Sequence, residues 1–269
     1  MKKRVVLCCI TFLLAVSSET AWSQNNFLWQ HYSLLNPAAT GINHQFDVSV
    51  TGFITGPSTW GTMMNADLRI KKLHGAIGIS NQSFNLPNNF SSNSSRFNYS
   101  YHLRFNENST LGIGTGIGVI TNYFKYDTYQ PNGIRAYTGT FGAHYKWKNL
   151  QVGIANTVTT DPGFSRIHFS TVAYADYTWE INSAWKLNFS VIENLYNHQF
   201  NLGVRATVYD KFWFGINREN NRFGTQIGYN FTKNFSVGHA ITIENINSNQ
   251  LQNSRISNSL NLRFTLPNK

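Results

Sequence analysis

Between Arg96 and Val119 two consecutive segments obey a period of two. Phe97, Tyr99, Tyr101, Leu103 and Phe105 alternate with Arg96, Asn98, Ser100, His102 and Arg104. Leu111, Ile113, Thr115, Ile117 and Val119 then alternate with Gly112, Gly114, Gly116 and Gly118. Side chains on a strand point to opposite faces in turn, so each segment has one apolar face and one polar or bare face. Segments of this length, repeated along a chain, are the signature of a transmembrane β-barrel.

The same parity recurs. Met64, Ala66, Leu68 and Ile70 oppose Asn65, Asp67 and Arg69; Trp185, Leu187, Phe189 and Val191 oppose Lys186, Asn188 and Ser190. Phe200, Leu202, Val204 and Ala206 oppose Asn201 and Arg205, and Leu260, Leu262, Phe264 and Leu266 oppose Ser259, Asn261 and Arg263. Counted this way, the chain holds about 14 antiparallel strands, an even number as bacterial barrels require. Connections after even strands are short, as at Lys71-Lys72-Leu73 and Lys148-Asn149. Several after odd strands are long: Ser83 to Ser94, Thr121 to Ala136, Thr159 to Ile167 and Asn245 to Arg255. Short periplasmic turns and longer outer loops mark outer-membrane barrels, which places both termini in the periplasm. A soluble sandwich also has short alternating strands, but its apolar face is a buried core. Here that face carries aromatic residues at strand ends, as at Tyr145, Trp147, Trp179 and Trp185, the pattern of a girdle at a lipid interface. The opposite face holds Arg69, Arg96, Arg104, Lys186, Arg205 and Arg263, a basic set suited to a lumen.

The N-terminus fits export. Met1-Lys2-Lys3-Arg4 precedes an apolar run from Val5 to Val16, and Ala21-Trp22-Ser23 precedes Gln24. This reads as a cleaved signal peptide over residues 1–23. The run is too short to span a bilayer as a helix. Cys8 and Cys9 are the only cysteines and lie inside that run, where a lipoprotein signal would not place them. The mature chain therefore has no disulfide, thiolate zinc site or cysteine nucleophile. The formal charge of +10 falls to +8 once Lys2, Lys3, Arg4 and Glu19 leave. In an exported protein this argues for a basic lumen or an anionic membrane surface rather than nucleic acid. Charged residues are only 13% of the chain, about half of what a soluble domain carries, which favours a surface facing lipid.

Residues 24–44 do not alternate. Phe27, Leu28, Trp29, Tyr32, Leu34 and Leu35 would be costly to leave in water, so this leader is expected to tuck into the barrel as a plug. The barrel proper is expected over 45–269 as one domain.

No catalytic constellation is visible. His144, His168, His198 and His239 fall on different strands, Gly-x-Ser-x-Gly is absent, and the few carboxylates do not cluster. No His spacing suits a metal, and the Gly112 to Gly118 series leads into no helix, so no phosphate loop or other cofactor site is expected.

Tyr32-Ser33-Leu34-Leu35-Asn36-Pro37-Ala38-Ala39-Thr40-Gly41 resembles the N-terminal signature of the PorP/SprF family of the Bacteroidetes type IX secretion system. Ser58-Thr59-Trp60, Gly75-Ala76-Ile77-Gly78 and the Tyr99 to Gly116 hairpin resemble later elements of that family. The chain departs from it at Pro57-Ser58-Thr59 and Asn81-Gln82-Ser83. The resemblance implies a non-enzymatic outer-membrane component of the secretion and gliding machinery. Its partners would be other type IX components, a cognate secreted adhesin and outer-membrane lipid. Asn36, Pro37, Ala38 and Gly41 are the candidate residues for partner binding or for setting the plug, because a fixed turn can direct the leader. The alternative is a passive porin whose basic lumen passes anionic solutes.

Overall fold

The computed structural model describes residues 31–55, 59–86, 90–124, 132–161, 166–196, 198–220, 222–248 and 251–267. The signal-peptide reading, both cysteines and the first part of the leader lie outside these residues.

Fourteen antiparallel strands close into a barrel, each paired with its sequence neighbours and β14 returning to β1. They are β1 (His44–Thr55), β2 (Thr59–Ile70), β3 (Gly75–Leu86), β4 (Phe90–Asn106), β5 (Ser109–Phe124), β6 (Asn132–Trp147) and β7 (Leu150–Asp161). The second half comprises β8 (Arg166–Glu180), β9 (Trp185–Asn194), β10 (Gln199–Val208), β11 (Phe212–Glu219), β12 (Arg222–Asn230), β13 (Phe235–Ser248) and β14 (Leu251–Pro267). Closure leaves no edge strand, so the backbone is paired without water, which a lipid-embedded sheet requires. His44 pairs with Pro267, which puts the start of β1 and the end of β14 at the rim that carries the short turns.

The barrel is inside-out relative to a soluble protein. Ile79, Ile117, Phe141 and Ile227 on its outer face are each 60% exposed or more, whereas Asn36, Asn98, Ser100 and Asn261 inside are buried at 1% or less. This inversion is what distinguishes lipid as the solvent. Trp147, Trp179 and Trp185 stand exposed at the short-turn end, where a girdle is expected.

All fourteen expected strands are present, but several run further than the parity pattern reached. β4 spans 17 residues, β5 and β6 16 each, and β14 17, so much of the expected long loops is paired strand. Ser91, Asn93 and Ser95 on β4 pair with Tyr123, Thr121 and Val119 on β5. Hydroxyl and amide side chains sit on both faces there, which erases the apolar alternation while leaving the backbone ladder intact. By contrast β9, β10, β11 and β12 have 10, 10, 8 and 9 residues. The rim opposite the short turns is therefore high on one side and low on the other.

Candidate functional site

Residues 31–43 run through the lumen as two one-turn 3-10 helices, Tyr32–Leu34 and Pro37–Ala39. Asn36 joins them. The following proline favours extended backbone at Asn36, which has φ −136° and ψ 112°. Its Oδ1 accepts the Ala38 N–H at 2.9 Å, and Pro37 occupies the first helical position, where a missing N–H costs nothing. Gly41 has φ +65°, in the left-handed region, and a Cβ there would collide with the Ala76 side chain, so only glycine suits the turn out of the leader.

The barrel wall is cut to fit this segment. A Cβ on Gly112 or Gly114 of β5 would overlap the backbone of Pro37 and Ala38, and one on Gly142 of β6 would overlap Asn36 Oδ1. The glycines seen in sequence as a thin inner wall thus make space for the leader's backbone.

Polar side chains then hold it. Asn36 Nδ2 donates to the Ala143 carbonyl at 2.8 Å and the Ile154 carbonyl at 3.2 Å, bridging β6 and β7. Arg96 Nη2 donates to the carbonyls of Ser33 and Leu34 at 2.9 and 2.5 Å, satisfying groups that a one-turn helix leaves open at its end. Ser100 donates to the Ala38 carbonyl at 3.0 Å, and His102 Nε2 lies 2.9 Å from the Thr40 carbonyl. Lys146 donates to Asn43 Oδ1 at 2.8 Å. Tyr32 stacks on Tyr174 of β8 with centroids 4.4 Å apart and planes 2° from parallel, and donates to Asp176 Oδ2 at 2.8 Å. The Tyr174 hydroxyl lies 2.6 Å from His144 Nδ1. Trp213 and Ala240 complete an apolar cluster with Tyr32 and Ala39 from the opposite wall.

Burial sets the protonation of the leader's own groups. The His31 ring, first through burial and then through the nearby Arg263 charge, is held down to about pKa 3 and stays neutral. Burial, reinforced by the Asp176 carboxylate, pushes the Tyr32 hydroxyl well above its ordinary value, so it remains a donor.

The expected lumen basics all fall on inward parity but do different things. Arg96 grips the leader. Arg263 makes a two-point ion pair with Asp47, Nε to Oδ1 at 3.0 Å and Nη2 to Oδ2 at 2.7 Å. Lys186 pairs with Asp210 at 2.8 Å, and Arg205 lies in the field of Asp176. Arg69 and Arg104 lie toward the short-turn rim, near the ends of β2 and β4. Asn36, Pro37 and Ala38 come together at the β5–β6 wall, with Gly41 one turn on. Parity in sequence set His102 opposite the apolar face, but only the closed barrel reveals that His102 reaches Thr40, that Asp176 reaches Tyr32 and that Tyr174 bridges His144 to Asn36.

Asn36, Tyr174 and His144 form one buried hydrogen-bonded chain, and Asp176 joins Tyr32 of the leader to Asn188 of the wall. Among the described residues no group of three or more His, Cys, Asp or Glu could hold a metal ion.

Three solved outer-membrane barrels share the architecture. The outer membrane protein Omp33 of Acinetobacter baumannii superposes with a TM-score of 0.53 at 11% identity, covering 84% of this chain and all of that one. The monoaromatic hydrocarbon channel CymD gives 0.54 at 10% identity over 87% and 92% of the two chains. The Pseudomonas putida toluene transporter TodX gives 0.53 at 9% over 94% and 97%. At these identities the likeness establishes the barrel fold alone. None of the curated proteins matches the sequence significantly. Residues 17–264 do match the family model described as type IX secretion system membrane protein PorP/SprF, and the chain, a closed barrel with the Asn36-Pro37 leader locked inside it, belongs to that family.

Proposed function

We propose that the protein is a non-enzymatic scaffold of the type IX secretion and gliding machinery in the outer membrane. It binds a cognate secreted adhesin or anchors the periplasmic ring. Residues 1–23 act as the cleaved signal peptide, the apolar outer face meets outer-membrane lipid, and the short-turn end with both ends of the barrel faces the periplasm. The observation that carries this reading is the leader itself. A segment gripped by Arg96, Ser100, His102, Lys146 and Asp176 across half the wall occupies the lumen that a passive porin would keep open. The grip supports a barrel that displays surfaces rather than one that passes solutes.

Two measurements test this. A planar bilayer containing the purified barrel should show no steady conductance; a large open current would restore the porin reading. Asn36→Ala combined with Pro37→Ala should leave the barrel folded, judged by heat-modifiable gel mobility, and reduce recovery of secretion components in pull-downs from membranes. Unchanged recovery would remove the leader from the partner-binding role.

A further inference from the structure

Between the leader and the short-turn rim the lumen opens into a cavity of about 260 Å³. The ends of β8, β10, β12 and β14 and the starts of β9, β11 and β13 wall it, so it lies toward the short-turn rim. Lys186, Arg205 and Arg263 line it together with Asp210 and the ring of Trp213, while Arg263 and Arg205 also face the carboxylates of Asp47 and Asp176 from outside the lining.

We propose that this cavity is a binding site for a carboxylate carried on a short carbon chain. Arg263 faces Asp47 with its Nε and Nη2 edge, which leaves the second Nη2 N–H and both Nη1 N–H groups for a second carboxylate. Lys186 holds Asp210 at the rim, but that carboxylate is 66% exposed, so the pair is weak and the ammonium is free to turn toward an incoming anion. Arg205 stands deeper in, its charge shared with Asp176, and Trp213 lends part of its ring to the wall beside the methylene chain. The volume admits a small dicarboxylate or an acidic side chain on a partner's loop, not a folded domain. Residues 31–43 lie in the lumen beyond the cavity.

The site stands apart from the secretion reading, since it requires only the folded barrel. Titration calorimetry of the full chain in detergent uses two probes, glutarate and a pentaglutamate peptide with blocked ends. Saturable heat with glutarate identifies a free small carboxylate as sufficient; heat with the peptide alone identifies a carboxylate presented by a polypeptide. Either result should weaken about tenfold in Lys186→Gln and in Arg205→Gln. Arg104→Gln, at the same rim outside the cavity, should bind as the parent does. Heat-modifiable mobility checks folding of each variant, and Lys186, near the rim, keeps the test decisive if Arg205→Gln fails to fold. Silence with both probes, or binding indifferent to Lys186→Gln, overturns the proposal.

Discussion

β5 and β11 stand on different sides of the same barrel and share an outer face but not an inner one. Ile113 on β5 and Ile216 on β11 each sit four residues from the short-turn end and are 48% and 51% exposed. Inward, β5 presents Gly112, Gly114, Gly116 and Gly118, whereas β11 presents Trp213, Gly215, Asn217 and Glu219. Two of the β5 glycines let the leader's backbone touch the wall; on β11 the bulk of Trp213 fills the lumen and packs in one apolar cluster with Tyr32 and Ala39. Lipid thus imposes one rule on both strands, while the leader imposes a rule on one.

The largest effect tests the shared face. Ile113→Arg and Ile216→Arg should each cost about 2–4 kcal/mol in denaturant unfolding from lipid vesicles, since both place a charge in the apolar band. A large difference between them would break the equivalence of the outer faces. A smaller effect tests the unequal faces. Gly114→Leu should cost about 1–3 kcal/mol by overpacking against backbone that cannot swing aside, and should expose the leader to protease. Gly215→Leu meets the Val204 carbonyl first and then the Gln226 side chain, both of the barrel wall and neither of the leader, so it should leave the leader protected. Equal cleavage in both variants would show that the leader does not depend on the β5 wall.

The smallest effect is acid sensitivity. His31 is held to about pKa 3 in place and returns to its ordinary 6.5 when released. Between those values the released leader binds more protons than the docked one, so docking is fully present above pH 6.5 and weakens as pH falls toward 3. Protease sensitivity of the leader should rise over that window, and His31→Leu should flatten the rise. A parent profile as flat as that of His31→Leu would show that the ring is not desolvated by docking.

The fold was legible because parity is a local property. Phe97 and Asn98 declare opposite faces to any reader of adjacent residues, and fourteen such stretches leave closure as the means of satisfying every edge in lipid. The extension of β4 and β5 beyond the parity pattern was not legible, because Ser91 to Ser95 form a ladder without an apolar face to announce it. The leader was legible as greasy and turn-bearing, from Tyr32 to Gly41. Its grip was not: Asn36 meets Ala143 and Ile154, and Tyr32 meets Asp176, at separations of 107 to 144 residues.

By itself, then, the chain determined the strand number, which face meets lipid and which residues point inward, because backbone pleating converts position in sequence directly into direction. Only the tertiary structure decided that the inward groups close on residues 31–43, that Gly112 and Gly114 are spaces for a backbone, and that Lys186, Arg205 and Arg263 share one cavity. Those outcomes depend on curvature and register summed around fourteen strands, and no single stretch of residues encodes the place where opposite walls meet.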